Sequence, residues 1–230
     1  MCIRDRSEFY EELKRLNIEI VRPDINKCCS DFTSNGKQFF YALGAIKNVG
    51  YEAISNIIKE RETNGEYKNL SDFIKRIDPK DINKLQLEGL VRAGAFDNLN
   101  DNRQSIYNSI PNIILKSKNN FENKQANQFD LFDDKLSNEE NILDDIEDWN
   151  IDIRLTKEFE TLGFYISDHP LNQYKSIFDQ YNIVSYDNFH NDENLLSSNI
   201  ACTVLKTQEK KTQKGTSYAI IKFSDLNSCL

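Results

Sequence analysis

Three short stretches of the 230-residue chain carry residue types that could do chemistry. In the first, Leu43, Ile46 and Val49 are apolar at spacing three and lead into Gly50. A helical stripe through Ala53, Ile54, Ile57 and Ile58 begins directly after it. That pattern predicts a helix, a turn of Asn48-Val49-Gly50 and a second helix. Gly50 is the residue best suited to positive φ, and Asn48 is the next most tolerant. The free N–H groups at the start of the second helix would point outward, where the helix dipole also favours an anion. A phosphate fits there without any base being read. Val49 would plug the turn into the helix pair and Lys47 would add a cation. An ordinary helical hairpin whose N–H groups meet water has the same spacing, so both readings stand.

The second stretch is Gln128-Phe129-Asp130-Leu131-Phe132. It puts three large apolar side chains within four positions of an otherwise polar region, residues 116–160, which holds 13 acidic and 6 basic side chains. Such a region buries too little apolar surface to fold alone. A short apolar hook on it has the form of a peptide-docking motif, since only the hook must become ordered on binding. The same hook folded back onto the protein's own surface is the other reading. The third stretch, Ser167-Asp168-His169-Pro170, suggests acid–base work at first sight. With no second His, Cys or Ser partner nearby, His169 reads as a helix-capping residue.

The rest of the chain must position these residues. The net charge of −8 sits in the middle, because residues 1–115 hold 17 basic and 17 acidic side chains. The near-neutral ends neither support nor exclude a local basic face. Five cysteines without a C-x-x-C pair, and only two histidines, offer no metal-ligand spacing and no disulfide framework. No apolar run of membrane-spanning length exists, and Met1 to Arg6 lacks an apolar signal core; a reducing cytosol is the expected location. Met1 to Arg6 fits no element that follows.

In order, Ser7 caps a predicted helix over Glu8 to Leu16 with Phe9, Leu13 and Leu16 on one stripe. Ile18 to Val21 reads as a strand stopped by Pro23 and the Asp24-Ile25-Asn26 turn. Asn35-Gly36 predicts a small hairpin between Asp31-Phe32-Thr33 and Gln38 to Ala42. A second unit resembling the first follows. Ser71 caps a helix to Ile77, and Asn83 caps Lys84 to Arg92 with Leu85, Leu87, Leu90 and Val91 apolar. Ala93-Gly94-Ala95-Phe96 then turns into a helix from Asp101, which Pro111 should kink or divide. Phe96 reads as a core plug, and Arg92 and Arg103 flank the turn within reach of phosphate. Beyond the polar middle, Trp149 to Leu162 reads as a helix stopped by Gly163, and another helix opens at Pro170 and runs through Tyr181. Ile200 to Lys206 and Tyr218 to Phe223 read as one hairpin joined by a basic turn, a sheet too small to stand alone.

Pro23 to Asn26, Ala45 to Gly50, Ala93 to Asp97 and Glu160 to Leu171 fall in one order. Together they resemble the C-terminal third of the bacterial DNA polymerase III alpha subunits, the C family of replicative polymerases. The resemblance runs from about Glu8 to the end. It implies a mainly α fold: the end of a preceding fingers-side region (1–38), a helix–hairpin–helix region (39–117), a flexible acidic linker (118–150), a helical connector (151–197) and the start of an incomplete OB-fold barrel (198–230). It implies phosphate contacts to duplex DNA from Lys47, Asn48, Val49, Gly50, Arg92, Gly94 and Arg103. Gln128, Phe129, Asp130, Leu131 and Phe132 would bind the sliding clamp, with Phe129 standing where an aliphatic residue is more usual. Other replisome subunits would dock through regions outside this chain. Polymerase chemistry in the family uses palm-domain aspartates that hold Mg²⁺, and the palm precedes everything present here. Asp133-Asp134 and Asp144-Asp145 lie in the acidic middle, so the expectation is a fragment with no catalytic residue, no metal and no cofactor of its own. A complete clamp- and DNA-binding adaptor, an error-prone paralogue of the alpha subunit, and a helical interaction domain without a nucleic-acid role are the alternatives.

Overall fold

The computed structural model describes residues 9–125 and 142–226, apart from 11, 14, 193 and 195. They are mainly helical with a few short strands, and they fall into two compact units. Residues 17–164 form one; the residues up to 16 together with 165–230 form the other. Gln128, Phe129, Asp130, Leu131 and Phe132 lie outside the described residues.

The unit of residues 17–164 begins with a small sheet. Strand β1 (Glu19–Val21) lies parallel to β3 (Gln38–Phe40), and β2 (Thr33–Ser34) pairs antiparallel on the other side of β3. The Asn35-Gly36 turn joins β2 to β3 as the sequence indicated, with Gly36 at φ +88°. Helix α1 (Tyr51–Asn64) buries Ile54, Ile57, Ile58 and Arg61, the i, i+3, i+4, i+7 stripe of an amphipathic helix. Helix α2 (Leu70–Arg76) is capped by Asn69, whose side chain accepts the Asp72 N–H at 2.8 Å. The expected cap, Ser71, is instead buried inside the helix. Helix α3 (Lys84–Arg92) is capped by Asn83 and buries Leu87, Leu90 and Val91. Leu85 falls off that stripe and is exposed.

Helices α4 (Arg103–Asn108) and α5 (Ile110–Gln125) divide at Ser109. Pro111 sits in the first turn of α5, where its missing N–H costs nothing. Helix α6 (Ile151–Leu162) ends at Gly163, left-handed at φ +91°. Around Phe96 the aromatic core runs edge to face, with Tyr67 to Phe73 at 5.1 Å and Phe73 to Phe96 at 5.0 Å; Phe96 is the plug its sequence context suggested.

Parts of the expected linker over 118–150 belong to ordered elements. Residues up to Gln125 continue α5, and residues 142–150 are fixed to α4 and its neighbours. Ile142 is buried, and Asp144 N–H donates to Ser109 Oγ at 2.9 Å. Ser105 Oγ donates to the Asp144 carbonyl at 2.5 Å, and Asn102 donates to the Ile146 carbonyl at 2.6 Å.

In the other unit, Tyr10 and Leu13 are buried while Phe9 and Leu16 are exposed. The Tyr10 hydroxyl donates to the Ile166 carbonyl at 3.2 Å, so the predicted stripe is rotated by one residue at its start. His169 caps the segment Pro170–Ile177 by accepting the Leu171 N–H on Nδ1 at 3.2 Å, and its Nε2 lies 3.1 Å from Ser224 Oγ. That is the capping role read from sequence, although the segment is a 3₁₀ helix followed by a second 3₁₀ turn, Asp179–Tyr181. A short helix α7 (Tyr186–Asn191) precedes an antiparallel hairpin of β4 (Thr203–Lys211) and β5 (Ser217–Ser224), with a register shift between Val204 and Lys206. Strand β4 thus runs five residues past the predicted Lys206 boundary.

Candidate nucleic-acid interface

The first turn is built differently from its sequence expectation, and better for exposing amides. Leu43–Ala45 is a single 3₁₀ turn. Leu43 N–H bonds the Cys29 carbonyl at 2.8 Å and Gly44 N–H the Ser30 carbonyl at 3.0 Å. A Cβ on Gly44 would stand 2.8 Å from the Ser30 carbonyl oxygen, so the backbones meet there only because it is glycine. Ile46 is then extended, at φ −67° and ψ 136°. The predicted helix through Ile46 and Val49 is absent because those carbonyl contacts to 29 and 30 replace a helical ladder.

Val49 N–H closes a four-residue turn onto the Ile46 carbonyl at 3.1 Å. Its third residue, Asn48, takes the positive φ, +66°, the arrangement of a type II turn. Gly50, expected to hold that role, is extended at φ −76° and serves as the N-cap of α1. Asn48 can take the strained position because its short polar side chain tolerates the left-handed region. Lys47 N–H is tied to the Thr161 carbonyl near the end of α6, at 3.3 Å.

Gly50 has no side chain with which to cap α1. Among the described residues no acceptor bonds the N–H groups of Tyr51, Glu52 or Ala53; the ladder starts with Ile54 N–H to Gly50 at 3.1 Å. Lys47, Asn48 and Gly50 are exposed, Val49 is half-buried, and Lys47 has no ion-pair partner among the described residues. Three free donors, a helix dipole and one unpaired ammonium form a local anion-binding arrangement. Glu52 in the first turn works against it.

Sequence reasoning missed the element that holds this turn in place. Gly89, in the middle of α3, faces it: a Cβ there would lie 2.6 Å from the Lys47 carbonyl oxygen and 3.3 Å from Val49 Cγ2. One turn earlier on the same face, the Gln86 side chain comes up against Gly50. A glycine inside an otherwise apolar helix was the available signal of a close backbone approach.

The second turn is closed. Gly94, at φ +79°, terminates α3, with Ala95 N–H to the Leu90 carbonyl at 2.9 Å and Gly94 N–H to the Val91 carbonyl at 3.0 Å. It is buried under the Arg103 guanidinium, which a Cβ would meet at 2.1 Å. Arg103 is only 4% exposed. It donates to Asp97 at 2.8 and 2.6 Å and to the Arg92 carbonyl at 3.3 Å, and it lies 3.8 Å from Glu158. Burial works against its charge, but the Asp97 and Glu158 carboxylates outweigh that, so its pKa lies above the usual guanidinium value. Arg92 donates to the Tyr107 hydroxyl at 2.6 Å and lies near Glu88 and Glu160. Gly94 and Arg103, expected at a phosphate, are thus packing and ion-pair residues, and Arg92 is largely committed to its neighbours.

At the start of α4 every amide is taken. Arg103 N–H bonds the Asp101 carbonyl at 3.1 Å, Gln104 N–H bonds Asp148 Oδ1 at 2.9 Å, and Ser105 N–H bonds Asn102 Oδ1 at 2.9 Å. The motif at Pro23 to Asn26 proves to be scaffold as well. Asp24, nine-tenths buried, accepts from Asn26 N–H at 2.7 Å and from the Asn98 amide. Ile25 N–H reaches the Ala95 carbonyl at 2.8 Å, and the buried Arg61 holds the Ile25 and Cys28 carbonyls at 2.7 and 2.8 Å. Cys28 is no nucleophile: burial pushes its thiol up to about 12. Among the described residues no cluster of His, Cys, Asp and Glu could hold a metal ion, and no helix is long and apolar enough to cross a membrane.

A helix-hairpin-helix family model matches residues 17–106, both turns included. The DNA polymerase III subunit alpha of Caulobacter vibrioides is 31% identical over 219 residues, which is 94% of this chain and 19% of that protein. The subunit of the same name from Borreliella burgdorferi is 32% identical over 95% of this chain and 20% of its own length. That of Rickettsia bellii is 35% identical over 80% of this chain and 18% of its own. The chain spans about a fifth of the length of these curated relatives.

Proposed function

The chain belongs to the family of bacterial DNA polymerase III alpha subunits, and from that premise we propose that it supplies non-specific duplex grip to DNA-directed DNA synthesis. The observation that carries this reading is the open N-terminus of α1, with the exposed Lys47 beside it, which has no ion-pair partner among the described residues. A backbone phosphate there would accept from the Tyr51, Glu52 and Ala53 amides and pair with Lys47, so affinity would be insensitive to sequence and sensitive to salt. The catalytic aspartates and their Mg²⁺ belong, in this reading, to a palm domain outside the chain. The expected sites for the whole are the cytosol and the replisome.

Two finer assignments belong to the same proposal. Gln128 to Phe132 docks on the sliding clamp, Leu131 and Phe132 filling an apolar pocket and Gln128 bonding at its rim. Gln125 and Ile142, the described residues on either side of the motif, both belong to residues 17–164, so a docked clamp and a gripped duplex would raise each other's effective concentration. The β4–β5 hairpin begins an OB-fold for single-stranded template; Lys206, Lys210, Tyr218 and Lys222 on one face supply the cations and an aromatic that such surfaces use.

The test is fluorescence anisotropy of a labelled mixed-sequence duplex across a salt series, with Lys47→Glu as the variant. Weaker binding and a fall of about one in the slope of log affinity against log salt support the reading. Unchanged affinity makes the turn a packing element and refutes it. For the clamp, calorimetry of a peptide spanning residues 120–137 should give binding that Leu131→Ala with Phe132→Ala abolishes; no binding by either peptide removes that assignment.

A further inference from the structure

Gln86 is a polar side chain whose place in α3 is not explained by packing. It is 9% exposed, and its buried Oε1 has no hydrogen-bond partner among the described residues. Its own backbone N–H is satisfied by Asn83, at 3.0 Å. A buried carbonyl oxygen left unpaired is unfavourable relative to an apolar side chain of the same shape. Its Nε2 lies against Gly50, 3.1 Å from where a Cβ would stand, with no bond to any described residue. Gly50 is the cap of α1, whose first-turn amides Tyr51, Glu52 and Ala53 have no acceptor among the described residues. A side-chain donor therefore sits at the mouth of the anion site, held by a helix that Gly89 brings close to the same turn.

We propose that Gln86 is a further phosphate-binding residue, its Nε2–H donating to a nonbridging oxygen of the phosphate bound at the α1 amides. This rests on the duplex-binding reading of the Lys47 turn. The phosphate is thereby met from two elements distant in sequence: backbone donors of α1 on one side, a neutral side-chain donor of α3 on the other. A neutral donor adds a hydrogen bond without adding a counterion to release, so its contribution differs from that of Lys47 in kind.

The test is duplex affinity of the chain by anisotropy for Gln86→Met, Gln86→Glu and Lys47→Glu, with thermal unfolding of each. Gln86→Met keeps the volume and removes the donor; it should weaken binding about tenfold while leaving the salt slope unchanged and the melting temperature no lower. Gln86→Glu should weaken it further, by adding a carboxylate at the phosphate. As a readout on the unaltered protein, the Gln86 side-chain amide resonances should shift on titration with the duplex. If Lys47→Glu weakens binding while Gln86→Met does not and the amide resonances stay put, Gln86 is a packing residue and the proposal fails. If Lys47→Glu is also without effect, the anion site itself fails and takes the proposal with it.

Discussion

The two joints at Gly50 and Gly94 in residues 17–164 present the same sequence grammar: apolar residues at helical spacing, a glycine, and a new helix with an Arg or Lys beside it. At the first joint, Gly50 caps α1 without a side chain and the Tyr51, Glu52 and Ala53 amides have no acceptor among the described residues. At the second, Asn102, Asp101 and Asp148 occupy all three corresponding amides of α4, and the cation lies under carboxylates in the interior. A carboxylate of the chain thus stands at the second joint in the place a phosphate takes at an open one. The difference teaches that a helix N-terminus binds an anion only where the protein has not already supplied one.

The comparison can be broken most forcefully at Arg103. Arg103→Gln should cost about 3–5 kcal/mol of unfolding free energy, because Glu158, 1% exposed, loses a buried cation. Urea denaturation measures it, and a loss below about 1 kcal/mol would mean the ion pairs are weak and the closure of the second joint incidental. Gly89→Ala should cost about 1–3 kcal/mol through overpacking against the Lys47 carbonyl. It should also weaken duplex binding by displacing the open turn, read by anisotropy on the folded fraction. Asp148→Ala removes the acceptor of Gln104 N–H and a partner of Arg154, for about 1 kcal/mol. Duplex affinity should not change; a clear gain would show the second joint to be a masked anion site and would end the contrast.

The smallest effect concerns the far end of α1, where Arg76 of α2 holds Glu60 at 2.9 and 2.8 Å. Partial burial raises the Glu60 pKa, but the hydrogen bonds, led by Arg76, outweigh it and leave it below the ordinary 4.5. A carboxylate depressed in the folded state stabilises above its unfolded value, and that stability is lost as pH falls through the folded value. Melting temperature should therefore drop more steeply below about pH 5 in the parent than in Glu60→Gln. Parallel curves would show the Glu60–Arg76 pair to be energetically silent.

What was legible in the sequence was mostly local. Asn83 as a cap, Pro111 at a helix division, Gly163 as a stop, Asn35-Gly36 as a hairpin turn and His169 as a cap each follow from one residue's backbone preference. The first joint was found for a partly mistaken reason. Asn48, not Gly50, takes the positive φ, and the helix expected before it gives way to bonds from Leu43 and Gly44 to residues 29 and 30. The fates of Arg92, Gly94 and Arg103 were not legible, since they are set by Asp97, Tyr107, Asp148 and Glu158, whose proximity is a property of the assembled unit. Gln86 and Gly89 escaped notice for the same reason: only tertiary packing brings α3 to the Lys47 turn.

The most direct measurement is a backbone-amide titration of the ¹⁵N-labelled chain with a short mixed-sequence duplex. The Tyr51, Glu52 and Ala53 amides should shift progressively with added DNA and return at high salt, while those of Arg103, Gln104 and Ser105 stay in place. Shifts confined to the second joint, or spread equally over both, would contradict the claim that the open amides of α1 are what this unit offers to a phosphate.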